Sequence, residues 1–328
     1  MSFPAYLFRR LLHMIPALVG LSILMFLISR VLPGDPARLA LGPEATLEQV
    51  EQLRREMGLD EPLLTQYVVY ISGLFRGDFG FSLRTRRNVA QDIREFLPAT
   101  VELTTVAMLF AVAVGVPLGV VSAVRKDRAE DHVSRLIALA GVAIPRFWLA
   151  ILLQLVFAYY LGALPTIGRG PGPPVRLSGL HLLDSLLTAN PGAFLTALRH
   201  VALPAFALSL GSLAQITRLV RANMIEEMRR DYALAARSYG LPDRVIIYKY
   251  VLKNAFSSAL TVIGLSYGFL LGNAFLVEAV FAWPGIAFYG VDSLLFKDLN
   301  AVMGVTLVVG VAFAVANLLV DIAYSYLD

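Results

Sequence analysis

The sequence predicts an all-α polytopic membrane protein, and three observations carry that prediction. Hydrophobic residues fill 57% of its 328 positions and charged residues only 16%, giving far more apolar surface than one soluble core buries. The apolar residues gather in six runs, each long enough to cross a bilayer core as a helix, which takes roughly 20 residues. Lys and Arg collect between those runs and not along one face. The net charge of +4 and pI near 9.3 therefore point to orientation in a membrane and away from a nucleic-acid partner.

The first run, Leu11–Ser29, follows Arg9 and Arg10. It is too long for a signal-peptide core and five further runs follow it, so an uncleaved anchor is expected. The others cover about 101–124, 133–161, 200–220, 255–282 and 301–324. Basic residues fix the direction. Arg9 and Arg10, then Arg125, Lys126 and Arg128, then Arg218 to Lys253 fall on one side if both termini are cytoplasmic. The expected organisation is a tail and first span (1–30), an extracytoplasmic loop (31–100), and a five-span core (101–328) with a cytoplasmic loop at 221–254. Pro16, Pro117, Pro145 and Pro204 lie inside runs, where tolerated kinks are the expectation and hinges the alternative.

The loop after the first span is patterned. Thr46 and Gln49 stand in capping-box register before a charged helix that should stop at Gly58. Pro62 suits the start of another, with Tyr67, Tyr70, Ile71 and Leu74 on one face until Gly77. Such a pair suits a lid, a docking surface or packing over the span ends. The Pro- and Gly-rich stretch 164–179 reads as irregular, and Leu180–Leu187 as a short interfacial helix. With no Cys and no ligand-like spacing of His13, His132, His181 and His200, no metal site is expected.

Between spans four and five the chain turns small, charged and glycine-broken. Ile225, Met228, Tyr232, Ala235, Ala236 and Tyr239 fall near one helical stripe, and Ala233, Ala235 and Ala236 make the helix thin enough for close approach to a partner. Gly240 is placed to end it in the left-handed conformation, and Pro242 prevents continuation. A second helix is expected to present Val245, Tyr248, Leu252 and Ala255 to the protein before merging into span five. A solvated topogenic loop is the plain alternative. A helix with an apolar stripe outside the bilayer, however, needs something to pack against.

This stretch, "DYALAARSYGLPDRVIIYKYVLKNA", resembles the cytoplasmic signature loop of the membrane subunits of binding-protein-dependent ABC importers, in their dipeptide/oligopeptide form. Ala235, Ala236, Gly240 and Leu252 match the general signature; Leu234 stands for its acidic residue, Tyr250 for its Ile and Lys253 for its Pro, as in the peptide-type branch. "VLPGDP" (31–36), "RGDFGFSL" (76–83), "IPRFWLAILLQLVFA" (144–158), "LGALPTIG" (161–168) and "VEAVFAWPGIAFYGVDSLLFKD" (277–298) are similar to further landmarks of that branch, in the same order.

The resemblance implies the six-helix type I importer permease fold in a bacterial or archaeal cytoplasmic membrane. It also implies two ATPase subunits carrying ATP and Mg, a second homologous permease, an external binding protein, and a peptide or related solute such as a nickel chelate, oligosaccharide or glutathione. Asp231, Tyr232, Ala235, Ala236, Arg237 and Gly240 would form the coupling helix that docks on an ATPase. No Gly is followed by Lys, so the chain has no phosphate loop of its own and no cofactor is expected on it.

Polar groups inside spans are the remaining candidates. Gln154, Ser209, Ser212, Gln215, Asn273 and Asn317 lie deep, as interhelical bonds or as pathway lining. Glu102, Arg146, Glu278 and Asp321 lie near span ends and are expected to reach the interface; Glu278 is also placed to anchor the turn at Trp283, Pro284 and Gly285. An intramembrane enzyme lacks a nucleophile motif, a metal motif or paired carboxylates, and an ion-coupled carrier lacks repeated halves and a charged midplane site.

Overall fold

The computed structural model describes residues 3–31, 36–42 and 44–327, and its regular structure is helical apart from one antiparallel bridge between Phe81 and Asn88. Residues 32–35, which hold most of the "VLPGDP" landmark, lie outside the described residues. The helices are α1 (Phe3–Val31), α2 (Pro36–Leu41), α3 (Leu47–Glu56), α4 (Leu63–Phe75), α5 (Val89–Val124), α6 (Ala129–Ala143), α7 (Arg146–Leu153), α8 (His181–Leu187), α9 (Pro191–Glu227), α10 (Asp231–Ser238), α11 (Asp243–Val245), α12 (Leu252–Asn273), α13 (Phe275–Val280), α14 (Ile286–Leu295) and α15 (Leu299–Leu327). A π-helical segment, Gln154–Tyr160, extends α7, and another, Ile246–Val251, joins α11 to α12. Among the described residues five helices are long and apolar enough to cross a membrane, six if the bent pair α6 and α7 counts as one span.

The chain divides into two compact units, residues 1–97 with 286–312 and residues 98–285 with 313–328. In the first, α3 starts with the expected capping box at Thr46 and Gln49, Pro62 caps α4, and Gly58 and Gly77 take positive φ after the two helices. Tyr67 on α4 reaches α1, its hydroxyl 2.9 Å from Ser22 Oγ and its ring edge-on to Phe26. The core gathers Val89, Ile93, Ile286, Tyr289, Ala301 and Val305. Two buried carboxylates organise its rim. Asp298 accepts from Ser82 Oγ and the Arg84 amide, and Asp92 accepts from Thr85 Oγ1 and the Tyr289 hydroxyl. The first of these joins "RGDFGFSL" to the end of the 277–298 landmark.

In the second unit α9 is the central helix, touched by α6, α7, α8 and α12. Small residues permit the approach. A Cβ on Gly119 of α5 would sit 2.8 Å from the Thr217 carbonyl, and one on Gly141 of α6 would sit 2.8 Å from the Leu210 carbonyl. Asp131, fully buried at the start of α6, accepts from Arg221 Nε and Nη2 on α9 (2.7 and 2.8 Å), from Ser122 Oγ and from the Asp127 amide. Removing Arg221 alone would leave the buried Asp131 charge without its main partner.

Four expectations need correction. The third span is not a kinked helix: α6 and α7 meet at 103°, because Pro145 has no N–H to donate and holds Ile144 extended (φ −79°, ψ 123°). Pro16, Pro117 and Pro204 do lie inside continuous helices. The fifth span runs earlier, Asp243–Asn273, and ends where the Asn273 side-chain amide donates to the Phe269 carbonyl. Its start buries Ile246, Val251 and Ala255 instead of Val245 and Tyr248, since the wider π turn inserts a residue and shifts the register. Finally, the stripe from Ile225 to Tyr239 is not one helix. The chain turns at 228–230, where the Arg229 and Arg230 amides donate to the Glu226 and Glu227 carbonyls.

Candidate translocation cavity and coupling loop

Both helix breaks open onto the same space. A cavity of about 750 Å³ is bounded by Gly141 and Val142 at the end of α6, by Pro145, Arg146 and Phe147 at the start of α7, by α9, and by α12 and α13 across the break at Ala274. Interrupted helices are tolerated at membrane depth where they line such a space. Of the deep polar residues singled out in the sequence, Ser212, Gln215 and Asn273 line it. Ser266, which the sequence reading missed, joins them and donates to Gln215 Oε1 at 3.4 Å.

The other three lie elsewhere. Ser209 is fully buried and donates to the Phe206 carbonyl. Gln154, at the start of the π segment, donates to the Thr166 carbonyl at 2.8 Å and the Val280 carbonyl at 3.4 Å. Asn317 sits half-buried on α15.

Near the other end of α5 the landmarks converge. The Trp283 indole donates to the Ala99 carbonyl at 2.9 Å, Thr100 Oγ1 donates to Glu278, and the Gly168 amide donates to the Phe281 carbonyl at 2.7 Å. At the turn the Glu278 carbonyl accepts from the Trp283 amide, and the Glu278 carboxyl occupies the space where any Cβ on Gly285 would lie. Pro284 falls between them.

Glu102 and Glu278 therefore do not reach an interface as expected; they are 5% and 0% exposed. Burial is tolerated because each has partners. Glu102 takes Arg169 Nε at 2.8 Å and Nη2 at 2.5 Å, and accepts from the Leu182 amide. No sequence signal links Glu102 to Arg169, which lies 67 positions away. Burial lowers the Arg169 pKa, and Glu102 partly offsets that. His181 is pushed down to about 4, first by burial and then by Arg169 and Arg176, so its ring is neutral at pH 7. Burial would raise Asp184, but donors from Ser178, Gly179 and Leu177 hold its carboxyl below the usual range.

The loop between α9 and α12 is built from local chemistry. Tyr232 hangs α10 from α9, its hydroxyl donating to Glu227 at 2.7 Å. Ala233 is the fully buried member of α10, while Leu234 is 50% and Tyr239 86% exposed. Ala235 and Arg237 also face outward and Ala236 is half-buried. The close is a Schellman motif: the Leu241 amide donates to Ala236 O, the Gly240 amide to Arg237 O, and Gly240 has φ +75°. Pro242 then caps α11, and Arg237 Nε lies 3.5 Å from Asp243 Oδ1. Asp231 opens α10 at its positive end. The result is a short helix whose outward side carries Leu234 and Ala235 among Asp231, Arg237 and Ser238, with Tyr239 exposed at its end.

Sequence comparison assigns this architecture. The family described as binding-protein-dependent transport system inner membrane component matches residues 115–328, and its N-terminal counterpart matches residues 3–104. The chain belongs to this family. Among relatives of the permease, a probable D,D-dipeptide transport system permease protein of Escherichia coli K12 is 41% identical across 100% of this chain and 97% of that protein. A dipeptide transport system permease protein of Alkalihalophilus pseudofirmus is 41% identical, covering 99% and 98%. A glutathione transport system permease protein of E. coli K12 is 36% identical, covering 98% and 97%. The permease fold also matches a chain of the inward-facing MetNI methionine ABC transporter, with TM-score 0.52 and 17% identity over 70% of this chain and 93% of that one. The chain is thus a multi-pass ABC importer permease of the cytoplasmic membrane, a transport subunit.

Proposed function

We propose that this permease forms half of the pathway of an ATP-driven importer of di- or oligopeptides, completed by a second homologous permease. In this reading two ATPase subunits carrying ATP and Mg lie beneath the pair, and an extracytoplasmic binding protein delivers the solute. The observation that carries it is α10, a short helix set off by a turn on each side, with Leu234 and Tyr239 exposed. Exposed Leu234 and Tyr239 on a helix set off in this way suit a partner surface, and no Gly of the chain is followed by the Lys of a phosphate loop. Asp231, Tyr232, Ala235, Ala236, Arg237 and Gly240 are then the coupling residues. ATP-driven closure of the ATPases would move α10 and α12 together as a rigid body. The names of the dipeptide permeases that share 41% of its residues support the peptide substrate. The glutathione relative is more distant at 36%.

The test is uptake of a labelled dipeptide into vesicles holding this chain, a second permease and the ATPases, with binding protein added. Uptake is expected only with ATP and binding protein together. Uptake by this chain alone, driven by a proton or sodium gradient, would contradict the proposal.

A further inference from the structure

The cavity between α7, α9 and α12 has an electrostatic sign that the family assignment leaves unexplained. Two arginines line it, Arg146 and Arg218, and no Asp or Glu is among its lining residues. Neither guanidinium has a hydrogen bond or ion pair among the described residues, whereas Arg221, one turn beyond Arg218, is held by Asp131 and Arg169 by Glu102. Arg146 is half-buried and Arg218 is exposed to the cavity, so both guanidinium groups are open to water or to an anionic group that enters.

Their placement is ordered. A Cβ on Gly211 would meet Arg146 Nη2 at 3.2 Å, so the Arg146 guanidinium lies against α9 at the level of that glycine. Gln215 and Arg218 follow Gly211 at i+4 and i+7 on the same face of α9, putting the second arginine about 10 Å further along the axis. Pro145 caps α7 without any side-chain hydrogen bond, so its free N-terminal amides add positive potential to the same wall. Phe147, Phe269 and Phe275 supply apolar surface beside these groups, and Ser212, Gln215 and Asn273 supply neutral polar ones.

We propose that Arg146 and Arg218 recognise the carboxylate end of the transported solute, making this permease the wall of the pathway that selects for an anionic group. The inference rests on the reading of the cavity as a peptide pathway and specifies which end of the peptide this subunit meets. Guanidinium suits the task, because its planar fork matches a carboxylate with two parallel bonds. The cavity offers no acid to the ammonium end, which is left to the second permease or to water.

The experiment uses the complete transporter in vesicles, with saturating binding protein, and compares uptake of Ala-Phe with that of its C-terminal amide. Any preference of the binding protein is common to all variants and cancels when their acid-to-amide ratios are compared. Arg146→Gln and Arg218→Gln are each expected to lower that ratio by roughly tenfold or more, the loss of one charge-assisted contact. Gln215→Glu keeps both arginines and sets an anion one turn from each; it is expected to lower the ratio similarly, and it decides the matter if an arginine variant fails to assemble. Assembled variants that slow acid and amide alike would overturn the proposal. A wild-type transporter that hydrolyses ATP but imports neither compound would overturn the peptide reading and this inference with it.

Discussion

Replacing Gly240 with valine is expected to leave the permease inserted and bound to its ATPases, with ATP still hydrolysed, while solute transport falls roughly tenfold or more. The glycine has φ +75° and no atom within 4 Å of where a Cβ would stand. Conformation is therefore the whole cost, and room is not. A side chain in the left-handed region costs about 1–2 kcal/mol, and a β-branched one is a poorer fit still. The native chain uses that conformation to satisfy the last carbonyls of α10 and to turn into Pro242. Strain of this size released by unwinding the end of α10 shifts the population of the docked conformation by about an order of magnitude. Measuring ATP hydrolysis and uptake on the same vesicles separates uncoupling from loss of protein. Normal coupled transport in Gly240→Val would count against α10 as the coupling element.

The second large effect is expected at Gly285, where the reason is room. Any Cβ there would overlap the carboxyl of Glu278, which is fully buried and holds Thr100 and the turn at Trp283. Gly285→Ala must displace that carboxyl from its partner or move the turn. The cost combines overpacking with loss of a hydrogen bond to an acidic group, about 3–5 kcal/mol together. Against the 5–15 kcal/mol typical of a folded domain, that is a large share. Thermal unfolding of the detergent-solubilised permease should show a clear drop in midpoint or a loss of folded yield. A variant that melts with the wild type would mean that the Glu278 carboxyl is not held where the structure puts it.

The two sites also show what the sequence could and could not disclose. The Thr46 capping box, the stops at Gly58 and Gly77 and the turn at Gly240 and Pro242 were legible because each is decided within a few residues by backbone chemistry. The first, second, fourth and sixth spans were legible from apolar length, while the third is broken and the fifth starts earlier. Pro145 and Pro204 look alike in sequence, yet one breaks the chain by 103° and the other lies in an unbroken helix. The pairing of Glu102 with Arg169 and the burial of Glu278 depend on contacts across 67 and 178 positions, which no local pattern encodes. The π segment after α11 moved the buried face by one residue, and periodicity assumes a constant pitch. Of the proposed pathway residues, Ser212 and Gln215 on the unbroken α9 and Asn273 beside the break at Ala274 came together in the cavity.

The account's central claim is that α10 is the surface on which a separate ATPase docks. The chain contains no cysteine, so a single introduced thiol carries a photo-crosslinker to one known place. Leu234→Cys sits on the outward face of α10, and Leu64→Cys, 75% exposed on α4, serves as its counterpart in the loop after the first span. In the assembled transporter, light is expected to link the Leu234→Cys probe to an ATPase subunit, with a yield that changes when ATP is bound, and to leave the Leu64→Cys probe unlinked to it. An ATPase captured from Leu64→Cys and never from Leu234→Cys would contradict the account.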